Sequence, residues 1–215
     1  MFKIKDPFSG FSHLVGAILI IIGTFFLLAN AKTLKEIICF LCFGITALIL
    51  YGASTLYHLF GKPASEISSL RKVDHASIYL LIAGTFTPFC ILLVDNIFGL
   101  IILIIVWLLA ISGITATFFD SFWKHLPRWA STGLYILMGW IGALIIYPLR
   151  HYPFILLWIF IGGAFYTIGA VIYIIKKPNL LKGFGFHELF HILVLLGTAS
   201  HFIAIYYLAV QPPST

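Results

Sequence analysis

The residues best suited to chemistry are histidines. The chain has 215 residues, eight of them histidine and seven acidic. His187 and His191 stand four apart in His187-Glu188-Leu189-Phe190-His191. On a helix that spacing puts both imidazoles on one face, about 5–6 Å apart, a common way for one helix to offer two metal ligands. Ser54 and His58 have the same spacing. If His58 joins the pair, three imidazoles leave a fourth tetrahedral position open, as in catalytic rather than structural zinc sites. Imidazole nitrogen suits Zn²⁺, and Fe, Cu and Ni accept the same donor. Asp74 is placed to hydrogen-bond a water at that position or to orient a ligand. The segment also fits H-E-x-x-H, where the glutamate is the general base of a metalloprotease. That pattern is short, and no peptide cleft can be read from the rest of the chain.

These residues need a scaffold, and composition dictates which. Hydrophobic residues make up 61% of the chain and charged ones 9%, with a mean hydropathy of +1.09. A soluble globule needs more polar surface than this. Apolar runs broken by charge or proline predict an all-α, polytopic membrane protein: a single seven-transmembrane domain over 1–215. The spans fall near 11–30, 34–60, 74–94, 98–118, 130–148, 153–175 and 187–209. Each is close to the roughly 20 residues needed to cross hydrocarbon. The runs are continuous rather than alternating, which selects helices over a barrel. The fifth is the shortest and is rich in glycine (Gly133, Gly139, Gly142).

Charge orients the bundle. With a cytoplasmic N-terminus and an external C-terminus, the inner side receives Lys3, Lys5, Lys62, Arg71, Lys72, Lys124, Arg128, Lys176, Lys177 and Lys182, and the outer side Lys32, Lys35 and Arg150. This is the expected cytoplasmic excess of basic residues. The net charge of +6 therefore reads as topology, and no nucleic-acid motif accompanies it. The same alternation puts His58, Asp74, His187 and His191 at the cytoplasmic ends of their helices, in one layer. Ionisable residues at that boundary are costly and usually functional.

The other polar features are weaker. Cys39 and Cys42 form a CxxC inside an apolar run, where cysteine behaves as a small hydrophobe. Ala29-Asn30-Ala31 resembles a signal-peptidase site, but the preceding run is long for a signal peptide. His13 has the right depth and no paired ligand, which suggests an outer contact or packing role. His75 follows Asp74 but points about 100° away on a helix. His201 lies about 15 Å deeper than His191 at 1.5 Å per residue, beyond reach of the same ion. It is expected to hydrogen-bond another helix. The tail Gln211-Pro212-Pro213-Ser214-Thr215 reads as a short external end.

Several motifs together carry a family resemblance: Ser12-His13-Leu14 with Gly16, Ser54-Thr55-Leu56-Tyr57-His58, Lys72-Val73-Asp74-His75-Ala76-Ser77-Ile78 followed by Gly84-Thr85-Phe86-Thr87-Pro88, and His187-Glu188-Leu189-Phe190-His191 with His201. The chain resembles the haemolysin III family, bacterial relatives of the progestin and adipoQ receptors that include the adiponectin receptors. The resemblance covers the whole chain. It implies a seven-helix bundle in the bacterial inner membrane, with intramembrane Zn²⁺ on His58, His187 and His191. Asp74 would hold water at the metal, and Ser54 would lie beside it. It also implies hydrolysis of a membrane lipid, a ceramide-like amide or ester, as the partner of the site. The family name suggests a different activity, pore formation and cytolysis. A non-catalytic sensor with structural zinc is a third reading. The long N-terminal extension of the receptors is missing, so hormone reception is not expected to carry over.

Overall fold

The structure, a computed structural model, describes residues 5–63, 66–181 and 183–211, apart from the side chain of Phe122. Lys3, Lys182 and the tail beyond Gln211 lie outside these residues. The described chain is helical: α1 (Pro7–Asn30), α2 (Leu34–Phe60), α3 (Ser69–Pro88), α4 (Ile97–Phe118), α5 (Asp120–His125), α6 (Arg128–Trp140), α7 (Pro153–Ile175) and α8 (Phe186–Val210). Six helical stretches among the described residues are long and apolar enough to cross a membrane, and α3 counts as one of them through its π-helical continuation to Val94. This is a multi-pass membrane protein.

Helix ends follow local chemistry. Proline opens α1 and α7, where its missing N–H costs nothing. Thr33 and Glu36 form a reciprocal capping box at the start of α2, satisfying donors that the helix itself cannot. The Ser68 hydroxyl accepts from the Arg71 N–H, so α3 begins five residues before the apolar run that starts at 74. The charges at 71 and 72 interrupt hydropathy without interrupting helical geometry. Pro88 sits where α3 passes into the π turn Phe89–Val94, as expected where a proline removes a helical hydrogen bond. Asn96 then caps α4 through two backbone N–H groups.

The region around 130–148 differs most from a plain span. α6 has 13 residues, then tightens into 3₁₀ turns at Ile141–Ile145 and Pro148–His151.

Consecutive helices pack side by side from α1 to α4 and from α6 to α8, and α1 meets α8 to close the arrangement. In their most apolar stretches α2, α3 and α8 bury more than half of their residues, while α4 and α7 bury less than a third. The core is aromatic and aliphatic, with Phe40, Phe43, Tyr51, Leu27 and Ile205 almost fully enclosed. The outward faces are rows of large apolar side chains such as Ile104, Leu108 and Ile111 on α4, which suit lipid as solvent. The three inner helices α2, α3 and α8 are the ones that carry His58, Asp74, His187 and His191.

Candidate metal centre

His58 lies in the last turn of α2, and His187 and His191 lie in the first two turns of α8. The helices bring the three rings to one point. Ring centroids are 5.0 Å apart for His58–His187, 4.6 Å for His58–His191 and 4.8 Å for His187–His191. One ring nitrogen from each can be chosen so that all three lie within 4.8 Å of one another. Zinc–nitrogen bonds of about 2.0–2.1 Å at tetrahedral angles put donor atoms about 3.3 Å apart, so modest side-chain rotation closes the group on an ion. His58 and His191 are each 2% exposed. Three imidazoles, two buried and His187 half-buried, with no carboxylate among them fit a borderline-soft cation, and this cluster could hold one.

The ring nitrogens are not equally free. His58 Nδ1 is 3.0 Å from Asp6 Oδ2, and the Asp6 N–H donates to the His58 carbonyl at 2.9 Å. Asp6, on the segment entering α1, thus clasps the end of α2 through side chain and backbone together. The hydrogen bond from His58 holds the Asp6 carboxyl below the usual carboxylate range. Partial burial opposes this, and Lys5, 3.4 Å away, adds to it. His191 Nδ1 lies 3.0 Å from His13 Nε2, with the two rings 4.1 Å apart. His13 therefore touches the cluster through His191. Asp6 is the contact that sequence reasoning missed. Its only signal is an acid beside Lys5 at the edge of the first apolar run, 52 residues from its partner.

Asp74 does not belong to the three-imidazole group. It lies close enough to feel His58, with Ser54 presenting its hydroxyl to the carboxylate. Its Oδ2 is also 3.3 Å from His75 Nδ1, although the side chains of consecutive helical residues ordinarily diverge. His75 is turned back along α3 by a hydrogen bond from its Nδ1 to the Arg71 carbonyl, 3.0 Å away. Glu188 accepts from the Gly185 N–H at 2.8 Å. It is occupied in closing the first turn of α8, which removes the main attraction of the protease pattern. His201 stays apart: its Nδ1 donates to Gly197 O on its own helix at 2.8 Å, not to another helix as sequence suggests. Cys39 and Cys42 are free thiols, and Cys42 lies 3.5 Å from the Thr87 hydroxyl.

Water can approach the cluster from one side. An open cleft of about 400 Å³ is lined by Asp6, Asn179, Phe184, His187 and Glu188. His187 is the imidazole that faces it.

Known proteins share this chain's pattern. The model of the family described as "Haemolysin-III related" matches residues 2–202. The chain belongs to the haemolysin-III-related family. It is 35% identical to the Hemolysin-3 homolog of Bacillus subtilis (strain 168), covering 99% of both chains. It is also 35% identical to Hemolysin-3 of Bacillus cereus, over 90% of this chain and 87% of that one. A more distant match, 26% identical, is the Adiponectin receptor protein of Drosophila melanogaster, where 90% of this chain aligns with 48% of the receptor. The receptor match agrees with the kinship of the family to the progestin and adipoQ receptors.

Proposed function

We propose that the chain is a zinc-dependent hydrolase of the bacterial inner membrane, cutting an amide or ester bond of a ceramide-like lipid in membrane homeostasis. The observation that carries this reading is the convergence of His58, His187 and His191, without a carboxylate among them, beside Asp74 and Ser54. Three imidazoles with a place to spare suit catalysis better than a structural staple. When bound, Zn²⁺ would polarise the substrate carbonyl and lower the pKa of water. Asp74 would orient the attacking water and take up its proton. It would then pass that proton to the leaving amine or alcohol as the C–N or C–O bond breaks. Ser54 would hold the Asp74 carboxylate in place. The cleft at His187 would admit water, while the acyl chain stays among the helices.

The topology proposed with this function has seven spans in one domain. The fifth of these, near 130–148, is the composite of α6 and its 3₁₀ turns. A 13-residue helix rises about 20 Å and five 3₁₀ residues about 10 Å more, which together approach the hydrocarbon thickness of about 30 Å. Lys5, Lys62, Arg71, Lys72, Lys124, Arg128, Lys176 and Lys177 would share the cytoplasmic side with the histidine cluster, by the positive-inside rule.

Detergent-purified protein should contain zinc and hydrolyse at least one lipid in a panel of short-chain ceramides and phospholipids. Asp74→Asn should keep the metal and lose about 10²–10⁴-fold in turnover. A zinc-loaded protein that cleaves no amide or ester lipid overturns the hydrolase reading. The names of the two Bacillus relatives suggest lysis as the second reading. Liposome leakage produced equally by the wild type and by Asp74→Asn would favour it.

A further inference from the structure

An imidazole has two ring nitrogens, and only one can face a shared ion. Which one is free depends on what the other is doing. At His58 the Nδ1 edge is taken by Asp6 Oδ2 at 3.0 Å. A carboxylate only accepts hydrogen bonds, so Nδ1 is the donor there and Nε2 is the nitrogen that remains to face an ion. At His191 the Nδ1 edge is taken by His13 Nε2 at 3.0 Å. If His13 donated there, the His191 proton would sit on Nε2 and block coordination. If His13 accepts, His191 Nε2 is open and the His13 proton sits on Nδ1. That atom and Ser9 Oγ, one turn earlier on α1, are both buried with no hydrogen-bond partner. Two orphaned polar groups one turn apart are suited to satisfy each other.

His187 differs from both. Among the described residues its ring makes no hydrogen bond; apart from the two other imidazoles its ring contacts include Tyr173 at 6.1 Å and Phe186 at 6.3 Å. It also lines the open cleft. Two of the three candidate ligands are therefore clamped from behind, by side chains contributed by the α1 segment, and the third is unclamped at the water-facing side.

We propose that Asp6 and His13 are positioning residues that lock His58 and His191 as Nδ1–H tautomers with Nε2 turned inward, and that His187 is the exchangeable ligand through which the ion enters and leaves. This rests on the metal reading above and adds to it a loading order: the two clamped imidazoles wait in place, and His187 closes last. Outer carboxylate and imidazole contacts of this kind fix ring orientation and raise ligand basicity, and losing one typically costs 10–100-fold in metal affinity. They also join α1 to the site, although α1 contributes no candidate ligand.

The test uses the full chain in detergent, with ¹⁵N-labelled histidine, at pH 8. Long-range ¹H–¹⁵N correlation of metal-free protein should show Nδ1–H tautomers at His58 and His191, assigned by their loss in His58→Ala and His191→Ala. Zinc affinity is then measured by competition with a chromophoric chelator. Asp6→Ala and His13→Phe should each weaken binding about 10–100-fold. Asp6→Glu and His13→Gln, which restore an acceptor, should recover most of the loss. A spectrum showing Nε2–H at either residue overturns the proposal. So does wild-type affinity in folded Asp6→Ala and His13→Phe. Should His13→Phe not fold, the tautomer spectrum and the exposed-side variant Asp6→Ala decide. Wild-type protein that binds no zinc defeats the metal reading itself, an outcome distinct from wild-type binding that the Asp6 and His13 variants leave unchanged.

Discussion

Helix α8 carries two kinds of buried histidine, and the contrast between them shows what makes a site. His191 is 2% exposed and His201 7%, so burial does not separate them. Around His191 the neighbours are other imidazoles, from α1, α2 and α8, and one ring nitrogen is left over at the centre. Around His201 the neighbours are a backbone carbonyl and aromatic rings. Its Nδ1 is spent on the Gly197 carbonyl. Its ring stacks on Tyr166 at 5.4 Å and 14°, with Phe89 at 6.4 Å. The Tyr166 hydroxyl is itself paired with Thr198 at 2.8 Å. Both histidines are polar groups made tolerable in an apolar bundle. Only the first leaves lone pairs converging on one point, and that convergence is what an ion requires.

The strongest way to break this contrast is to remove each histidine in turn. Metal analysis of purified protein should fall from about one zinc per chain to near none in the His58→Ala/His187→Ala/His191→Ala triple variant. It should stay unchanged in His201→Ala. Equal loss from both would mean that the deep histidine also ligates, against its geometry.

A smaller effect should come from crowding the deep site alone. Gly162 lies so close that an added Cβ would stand 2.4 Å from the His201 ring. Gly162→Ala must push the ring or separate α7 from α8, and overpacking of this kind costs about 1–3 kcal/mol. Thermal unfolding should report the loss, and zinc content should not move. Zinc loss at full stability would show the two regions to be coupled.

The smallest effect concerns pH. The Asp6 carboxyl is depressed by the hydrogen bond from His58 and by Lys5, so its ionised form is favoured in the folded chain. Its contribution is present above the unfolded carboxylate pKa of about 3.9 and is lost as pH falls through the lower folded value. Wild-type stability should therefore drop more steeply than that of Asp6→Asn as pH falls from about 5 to about 3. Asp6 is about one-third exposed, so the difference should be modest. Parallel curves would show that the clasp has no ionic character.

Much of the helical framework is legible because lipid imposes a one-dimensional rule. A crossing helix needs an unbroken apolar run of set length, and the intervals 34–60 and 153–175 coincide with α2 and α7. The rule fails where something other than hydropathy sets the boundary. Ser68 caps α3 inside a charged segment, and the chain after Trp140 winds into 3₁₀ turns that look no different from α-helix in an apolar run. The cluster was half legible. The four-residue repeat of His187 and His191 is a property of one helix, and the charge asymmetry brought His58 to the same layer. The roles of the neighbours were not legible. Glu188 reads as a general base in the motif and is a cap in the fold, because the Gly185 N–H competes for it one turn away.

The sequence by itself determined that this chain lives in a membrane as a set of helices and which of its histidines share a depth. These follow from apolar run length, helical period and charge bias, each of which acts locally along the chain. Only the tertiary structure decided which side chains stand behind the candidate ligands. The Asp6–His58 and His13–His191 contacts span 52 and 178 residues. A hydrogen bond is short and directional, so no periodicity announces it until packing brings its donor and acceptor within about 3 Å.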